Sequence, residues 1–289
     1  MMRQHADPAG VHLDHVGFIV RDLNATAALM TRLGFTLTAR ADHTRTNERG
    51  ELVSAGSAQR SIMLGTGYIE LMEIHDPAAG HQLAAATGTR YGLHIVAYGT
   101  TDAQACHDQC LDRGVDAGPL LRWARPINED GLHGMAQFAY FGSAWQPTDP
   151  SYLCWVQHLT PQLLRSPQLV AHANGALGVT GLTYRGPRPS AAGWVQRLMA
   201  GGATLLHEND HAATLTLPNA RLDVGFDETV NAVQPVALHL AVADGQALRH
   251  RCAECGISVA QGVDSALDID LTQQLGLHLI CTESASTLA

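Results

Sequence analysis

Short runs of apolar residues alternate with polar segments along the chain, and they follow a clear order near its amino-terminal end. Residues 13–20 are mostly apolar and predict a buried strand, and residues 24–32 carry apolar positions on one side and predict a helix. A second strand is predicted at residues 34–38, and a glycine-rich turn between residues 60–64 and 68–74 predicts a hairpin. This first unit is therefore predicted to contain a strand, a helix and three strands.

The same order begins again near residue 178, which indicates an internal repeat. Gly17 corresponds to Gly181 and Arg21 to Arg185 at the same offset, and a predicted helix and hairpin follow in both places. The chain therefore holds at least two copies of the unit.

The two remaining segments of the chain also resemble each other. Residues 91–97 and 236–242 are predicted strands that carry a histidine at the same place, His94 and His239, and a predicted helix follows each. Inside the first of these segments, residues 122–131 contain two arginines and an Asp-Gly turn signal, and they are predicted to form a loop. Four units in the same order predict an α+β fold with two domains of two βαβββ units each.

A segment with two prolines and no sheet periodicity, residues 160–175, lies between the second and third units. We expect the domain boundary there, with one domain at residues 11–165 and the other at residues 175–289.

Composition narrows the possible partners. The chain has 289 residues, of which 46% are hydrophobic and 16% charged, and its formal net charge is -9. A phosphate backbone or an anionic membrane requires a basic surface, and no cluster of Lys and Arg occurs, so we expect a small-molecule partner and neither nucleic acid nor membrane. The absence of a signal peptide and of a long apolar stretch predicts a cytoplasmic protein whose six cysteines are reduced thiols.

Three side chains suggest chemistry at a shared concave surface. His15 and His94 occupy equivalent places on the first strands of two consecutive units, and Glu70 stands between apolar neighbours on a closing strand. A buried carboxylate is costly unless it is paired or binds a metal. Two imidazoles and one carboxylate leave open positions on a divalent ion, which is typical of a catalytic metal site.

These motifs resemble the vicinal oxygen chelate superfamily, and in particular its glyoxalase-like members. The resemblance is carried by residues 13–23, 34–35, 68–71, 92–94 and 156–161, and it spans nearly the whole chain. It implies two glyoxalase-like domains with mixed, curved sheets around a cleft. It also implies a divalent metal such as Fe, Zn, Ni or Mn, with His15, Glu70 and His94 among its ligands.

The fourth ligand position departs from the family pattern. Where glyoxalase-type members carry a glutamate, the aligned residue is Cys154, a softer ligand. His158 lies four residues further on the same face of the strand, where it is either a ligand or an acid/base, and Glu70 is also a candidate for proton transfer. In the second domain Val179 and Asp223 stand where the first has His15 and Glu70.

The second domain therefore retains one histidine, His239, with Cys281 on its closing strand. We expect a degenerate site there and a role as scaffold, as one wall of the cleft or as the contact surface of a homodimer.

The resemblance leaves three functions open. The first is a metal-dependent glyoxalase-like enzyme, a lyase or isomerase, that polarises neighbouring oxygens of a small molecule. The second is an extradiol-type dioxygenase with Fe(II), and the third is a protein that binds or sequesters a small molecule without chemistry. Arg60, Arg122 and Arg125 are each candidates either for contact with an anionic substrate or for a surface role.

Overall fold

Four βαβββ units follow one another along the chain, as the sequence predicts. The computed structural model describes residues 10–46, 49–86, 90–129 and 131–284. The first unit comprises β1 (His12–Ile19), α1 (Leu23–Arg32), β2 (Ala41–Thr46), β3 (Leu52–Met63) and β4 (Tyr68–Ile74). The second comprises β5 (Gly92–Gly99), α2 (Ala103–Asp112), β6 (Leu121–Glu129), β7 (Leu132–Gly142) and β8 (Tyr152–His158).

The carboxy-terminal half repeats this arrangement. The third unit comprises β9 (Ala176–Gly186), α3 (Arg188–Ala200), β10 (Thr204–Glu208), β11 (Ala212–Leu217) and β12 (Ala220–Phe226). The fourth comprises β13 (Gln234–Val242), α4 (Gly245–Glu254), β14 (Val259–Gln261), β15 (Leu267–Leu271), a one-turn helix α5 (Thr272–Leu275) and β16 (Leu277–Glu283).

Each half of the chain forms one eight-stranded mixed sheet. Sheet A has the strand order β2-β3-β4-β1-β5-β8-β7-β6, and sheet B has the matching order β10-β11-β12-β9-β13-β16-β15-β14. The first strands of two units pair antiparallel at the centre of each sheet, and each first strand pairs in parallel with the last strand of its own unit. The α+β fold of four units in two sheets is therefore confirmed.

Three of the helices begin at the same kind of residue. Asp22, Asp102 and Asp244 each precede a helix, and in each case the carboxylate accepts a hydrogen bond from the backbone N–H three residues ahead. An aspartate at this position satisfies one of the donors that a helix leaves open at its start, which stabilises the helix by about 1 kcal/mol. Pro187 takes this place before α3 and fixes the backbone instead.

The two sheets share one apolar core, which contains residues of all four units. The indole N–H of Trp155 donates to the carbonyl of Gly201 at 3.0 Å, and the hydroxyls of Ser151 and Tyr184 lie 3.1 Å apart. Asn219 binds both the N–H and the carbonyl of Leu13. Since these bonds join the strands of one sheet to elements of the other half, they fix the second half against the back of sheet A.

Two local predictions are wrong. Residues 34–38 form no strand, because Phe35 packs into the core and the N–H of Thr36 donates to His172 at 3.0 Å, outside any sheet. Residues 121–129 form strand β6 and not a loop, because they pair along their whole length with β7. The predicted Asp-Gly turn falls at the end of this hairpin, where Gly131 has a φ of 80° and Asp130 lies outside the described residues.

The segment between the two sheets is packed against sheet A. Leu164 and Leu169 belong to a small apolar cluster with Met63 and Ala136, and the Arg165 guanidinium donates to the carbonyl of Leu64 at 3.0 Å. This segment therefore covers one end of the concave side of sheet A. No helix in the described part of the chain is long and apolar enough to cross a membrane.

Candidate functional site

The concave side of sheet A encloses a cavity of about 400 Å³. Strands from both units contribute to its wall, because the sheet curls until β6 and β2, its two edges, face the same space. Its polar wall includes His15 on β1, Glu70 on β4, and Cys154 and His158 on β8. Four of the five residues that the sequence singles out for this surface therefore line one cavity.

A β-bulge in β1 produces the central contact of this cavity. Leu13 faces Tyr98 on β5 and His15 faces Ala97, so Asp14 is an extra residue with no partner of its own in that pairing. A bulge bends the strand and redirects its side chains. As a result, Nδ1 of His15 donates to Oδ2 of Asp14 at 2.7 Å, although the two residues are neighbours in the chain.

His158 approaches the same carboxylate from β8. Its Nε2 lies 3.1 Å from both oxygens of Asp14. Strand alternation places Cys154, Val156 and His158 on one face of β8, and all three line the cavity. Two histidines of different units therefore share one buried aspartate at the cavity wall.

The two histidines determine the charge state of Asp14. Burial alone raises the pKa of this carboxyl group, but the hydrogen bonds from His15 and His158 and the nearby positive charge outweigh it and hold the pKa well below 3.8, its ordinary value. Asp14 is therefore a carboxylate at neutral pH and accepts an N–H from each ring. Its role was not foreseen from the sequence, where the only signal was an acidic residue inside a run predicted to be buried.

Tyr68 packs against both rings. Its ring is stacked on His15 with centroids 4.2 Å apart, and it meets His158 edge to face at 6.5 Å. Burial, followed by the charges of Asp14 and Glu70, raises the pKa of this phenol well above 10.0. Tyr68 is therefore a neutral hydrogen-bond donor that also fixes the orientation of the His15 ring.

Glu70 and Cys154 lie in the same wall of the cavity. Among the described residues Glu70 forms no ion pair. Burial raises the pKa of the Cys154 thiol well above 9.0, and the charges of Glu70 and Asp14 act in the same direction. Cys154 is therefore a protonated thiol in the metal-free protein, and it would release this proton on binding a metal.

The structure places His94 away from the cavity, in contrast to the expectation from the repeat. On β5, Leu93 faces Phe18 and Ile95 faces Gly17, so His94 is the extra residue of a second bulge, and Ile95 lines the cavity in its place. The ring of His94 is buried and donates from Nδ1 to the carbonyl of Gly92 at 2.9 Å. Burial and the charge of Arg90 lower the pKa of His94 to about 4.

Two further histidines, for which the sequence suggested no role, line the cavity on its other side. His43 on β2 and His81 in the loop after β4 stack with ring centroids 6.0 Å apart, and Nδ1 of His43 lies 2.8 Å from the hydroxyl of Ser57. Burial and the neighbouring His43 lower the pKa of His81 to about 4. They belong to segments that come together only when the loop folds over the sheet, so no spacing in the sequence indicates the pair.

A set of hydroxyl contacts separates this cavity from a smaller one of about 360 Å³. The hydroxyls of Tyr140 and Tyr152 are hydrogen bonded, and the side-chain amide of Gln82 donates to Tyr140 at 3.2 Å. These three residues and Leu83 line both cavities. The partition joins the loop after β4 to strands β7 and β8.

Sheet B has a different set of contacts at the corresponding places. Nε2 of His239 lies 2.8 Å from the hydroxyl of Thr183, and Asp223 accepts hydrogen bonds from Thr214 and Arg221. These polar side chains satisfy one another. Val179 and Cys281, the other two positions compared with sheet A, belong to the apolar core.

The described side chains of the cavity do not meet the requirement of a divalent metal for several ligands around one point. In the described ranges no three His, Cys, Asp or Glu side chains lie close enough together to hold one ion. Without His94, the expected set is reduced to His15, Glu70 and Cys154, and these three side chains do not converge on one point. The expected four-ligand set therefore does not fit a metal in this arrangement of side chains.

Comparison with solved structures places the fold among known proteins. A hypothetical protein from Staphylococcus aureus aligns with a TM-score of 0.63 at 10% identity, covering 95% of this chain and 100% of that chain. A mutant of 4-hydroxymandelate synthase from Streptomyces coelicolor aligns with a TM-score of 0.60 at 12% identity, covering 97% and 95%. The Mn(II)-bound glyoxalase from Novosphingobium aromaticivorans aligns with a TM-score of 0.56 at 11% identity, covering 96% and 83%.

At these identities the similarity extends to the fold. Among curated proteins, none matches the chain in sequence. The family model for the glyoxalase-like domain matches residues 13–199, which is more than half of the chain and includes all of sheet A and the first part of the third unit. The chain therefore belongs to the glyoxalase-like domain family, within the vicinal oxygen chelate superfamily.

Proposed function

We propose that this protein is an enzyme that binds a small oxygen-bearing molecule in the cavity of sheet A and transfers a proton with His15. The observation that supports this proposal is the buried Asp14 carboxylate, bound by His15 at 2.7 Å and by His158 at 3.1 Å at the wall of the cavity. An imidazole held by a carboxylate is oriented in one tautomer, as general base catalysis requires.

The tautomers follow from the charge of Asp14. An ionised carboxylate only accepts hydrogen bonds, so His15 carries its proton on Nδ1 and leaves the lone pair of Nε2 for a substrate. When Nε2 takes a proton from a carbon or oxygen of the substrate, the resulting imidazolium is stabilised by Asp14. Asp14 acts here as a positioning residue, since it contacts the base and not the substrate.

The surrounding side chains complete the proposed reaction. Tyr68, a neutral phenol, donates a hydrogen bond to an oxygen on which negative charge develops. His158 holds the other side of Asp14 and presents a buried Nδ1 that has no partner among the described residues. Glu70 is available as a second acceptor, and the apolar wall formed by Met72, Ile95 and Val156 excludes water.

A metal-dependent lyase or isomerase is a second candidate. The observation that favours it is the hydrogen bond from Nδ1 of His15 to Asp14, because metal-bound histidines commonly donate their other ring N–H to a carboxylate. It requires Glu70 and either Cys154 or His158 to move toward His15. Ring cleavage with Fe(II) shares this requirement, and it also predicts uptake of oxygen in the presence of a catechol.

The experiment follows proton exchange by NMR. Wild-type protein is incubated in deuterated buffer with a panel of small aldehydes, ketones and hydroxy acids, and deuterium incorporation next to the carbonyl or hydroxyl is measured. We expect exchange with at least one compound, and a loss of about 100-fold or more in His15→Gln, because general base catalysis contributes roughly that factor. His278→Gln is the matched control, since Nδ1 of His278 also binds an aspartate, Asp268, at 2.6 Å but in sheet B.

Three results would decide against the proposal. Equal losses in His15→Gln and His278→Gln would assign the effect to folding. Exchange that needs an added divalent metal, together with metal content close to one ion per chain in protein purified without chelator, would favour the metal-dependent enzyme. Tight binding of a panel compound with neither exchange nor conversion would indicate a binding protein.

A further inference from the structure

Arg125 is a cation in the wall of the cavity that takes no part in the proton transfer proposed for His15. It lies on β6 opposite Ala136 of β7, and Trp123, two residues earlier, lies opposite Phe138. Because residues two apart share a face of a strand, Trp123 and Arg125 both line the cavity, whereas Arg122 lies on the other face and is exposed. Because residues 121–129 form a strand, Arg125 lies in the cavity wall and Arg122 does not.

The guanidinium of Arg125 has no counter-ion in the described part of the chain. The arginines that form ion pairs there are all others, each joined to an aspartate, and none of these pairs includes Arg125. Its charge nevertheless acts inside the cavity, because it lowers the pKa of Tyr68 against the larger opposing effect of burial. A partly buried arginine without a partner presents a fork of N–H donors that matches a carboxylate.

The remainder of the cavity wall near Arg125 is apolar and aromatic. Trp123 and Phe138 form a cross-strand pair, and Tyr140 contacts Trp123 with ring centroids 6.5 Å apart. The carboxyl group of Glu70, which forms no ion pair among the described residues, lies on β4 of the first unit, whereas β6 is the edge strand of the second. A ligand with a negative charge at one end and an apolar body is therefore attracted to Arg125 and repelled by Glu70, which orients it.

We propose that Arg125 forms an anion subsite for the carboxylate of the substrate, and that Trp123, Phe138 and Tyr140 hold an aromatic or branched apolar body beside it. This inference rests on the proposed function, because it assigns a substrate class to the same cavity: small carboxylates with an apolar group. It directs the other end of the molecule toward His15 and Tyr68, where the proton is transferred.

The experiment compares carboxylates with their neutral amides. Binding of benzoate, phenylacetate and 3-phenylpropionate, and of the three corresponding amides, is measured by titration calorimetry. In wild-type protein we expect at least one acid to bind roughly 10- to 100-fold more tightly than its amide, as expected for a charge-assisted contact. In Arg125→Gln this preference should disappear, in Arg125→Lys it should be reduced, and in Arg122→Gln, the matched control on the other face of β6, it should persist.

The outcomes separate this inference from the proposed function. A wild-type protein that binds each amide as tightly as its acid, or binds none of the six compounds, overturns the subsite. Equal loss of the preference in Arg122→Gln and Arg125→Gln also overturns it. His15→Gln should keep the preference for acids, so that a failed proton-exchange experiment with an intact preference would reject the mechanism and leave the subsite standing.

Discussion

Oδ2 of Asp14 lies 2.7 Å from Nδ1 of His15, its immediate neighbour in the chain. In a regular strand neighbouring side chains point to opposite faces of the sheet, so this bond exists only because β1 bulges at Asp14. His158, from the last strand of the next unit, completes the contact. The bulge thereby places the carboxylate of Asp14 within hydrogen-bonding distance of both His15 and His158.

Asp14→Asn tests whether this carboxylate positions the base. An asparagine oxygen accepts one of the two ring N–H groups, but its amide hydrogens oppose the other, so we expect the free energy of unfolding at pH 7 to fall by about 1–3 kcal/mol. We also expect kcat to fall while the Kd of a cavity ligand stays within a few-fold. Denaturant titration, kinetics and calorimetry measure the three quantities.

The contribution of Asp14 to the free energy of unfolding depends on pH. Because the pKa of Asp14 is lowered below 3.8 in the folded protein, its stabilisation is complete above that value and is lost as the pH falls below it. The difference in stability between wild type and Asp14→Asn should therefore shrink below about pH 4. Asp223→Asn, which replaces an aspartate that accepts hydrogen bonds from Thr214 and Arg221 in sheet B, serves as control and should leave kcat unchanged.

His94→Gln tests the position of His94 outside the cavity. The pKa of His94 is about 4 in the folded protein against 6.5 ordinarily, so the unfolded chain takes up a proton first and stability falls as the pH drops from 6.5 toward 4. Without this group, the free energy of unfolding should fall by about 2 kcal/mol less between pH 7 and pH 5 than it does in the wild type. Denaturant titrations at a series of pH values measure the slope.

His81→Gln is the matched comparison for His94. The pKa of His81 is also about 4, so its removal should likewise reduce the loss of stability at acidic pH. His81 lines the cavity, however, and its substitution should also weaken ligand binding, whereas His94→Gln should leave binding unchanged. Loss of ligand or metal binding in His94→Gln would show that His94 belongs to the site after all.

Cys154 should resist alkylation at neutral pH. Burial raises the pKa of its thiol, and the thiolate is the reactive form. The half-buried thiol of Cys255, which follows the last residue of α4, serves for comparison. After treatment with iodoacetamide, mass spectrometry should find Cys255 modified well before Cys154. Rapid modification of Cys154 would contradict the buried, protonated thiol.

Gly142→Ala should disturb the partition between the two cavities. A Cβ atom at Gly142 would overlap the Tyr152 hydroxyl oxygen, so the Tyr152 ring must shift, which disturbs its hydrogen bond with Tyr140. We expect a loss of about 1–3 kcal/mol in stability and weaker binding of cavity ligands. Gly225→Ala, where the nearest atom is 3.7 Å away, should change neither quantity. Thermal unfolding and calorimetry measure the two quantities. Unchanged stability and ligand binding in Gly142→Ala would contradict the role of these hydroxyl contacts in separating the cavities.

Much of the fold could be predicted because its signals are local. The order of strands and helices repeats along the chain, and three helices begin after an aspartate that caps them. Alternation along β8 sends Trp155 into the core and leaves Cys154, Val156 and His158 toward the cavity. Each of these features depends on residues a few positions apart.

The errors arise where a segment is defined by distant partners. The N–H of Thr36 donates to His172, and the N–H of Thr38 bonds to Ser61 of β3, so residues 34–38 are held by distant partners without forming a strand. Residues 121–129 become a strand because β7 is beside them. The His43 and His81 pair forms only where a loop folds over the sheet. Hydrophobic periodicity contains no information about such contacts.

The four βαβββ units, the family, and the faces of β8 on which His158 and Cys154 lie can all be recognised in the amino-acid sequence. Which histidines meet depends on the pairing of strands in three dimensions. A bulge depends on how two strands pair across the sheet, and one extra residue moves a side chain to the other face. The bulge at Asp14 joins that aspartate to His15 and His158, and the bulge at His94 removes the histidine that the repeat had made equivalent to His15.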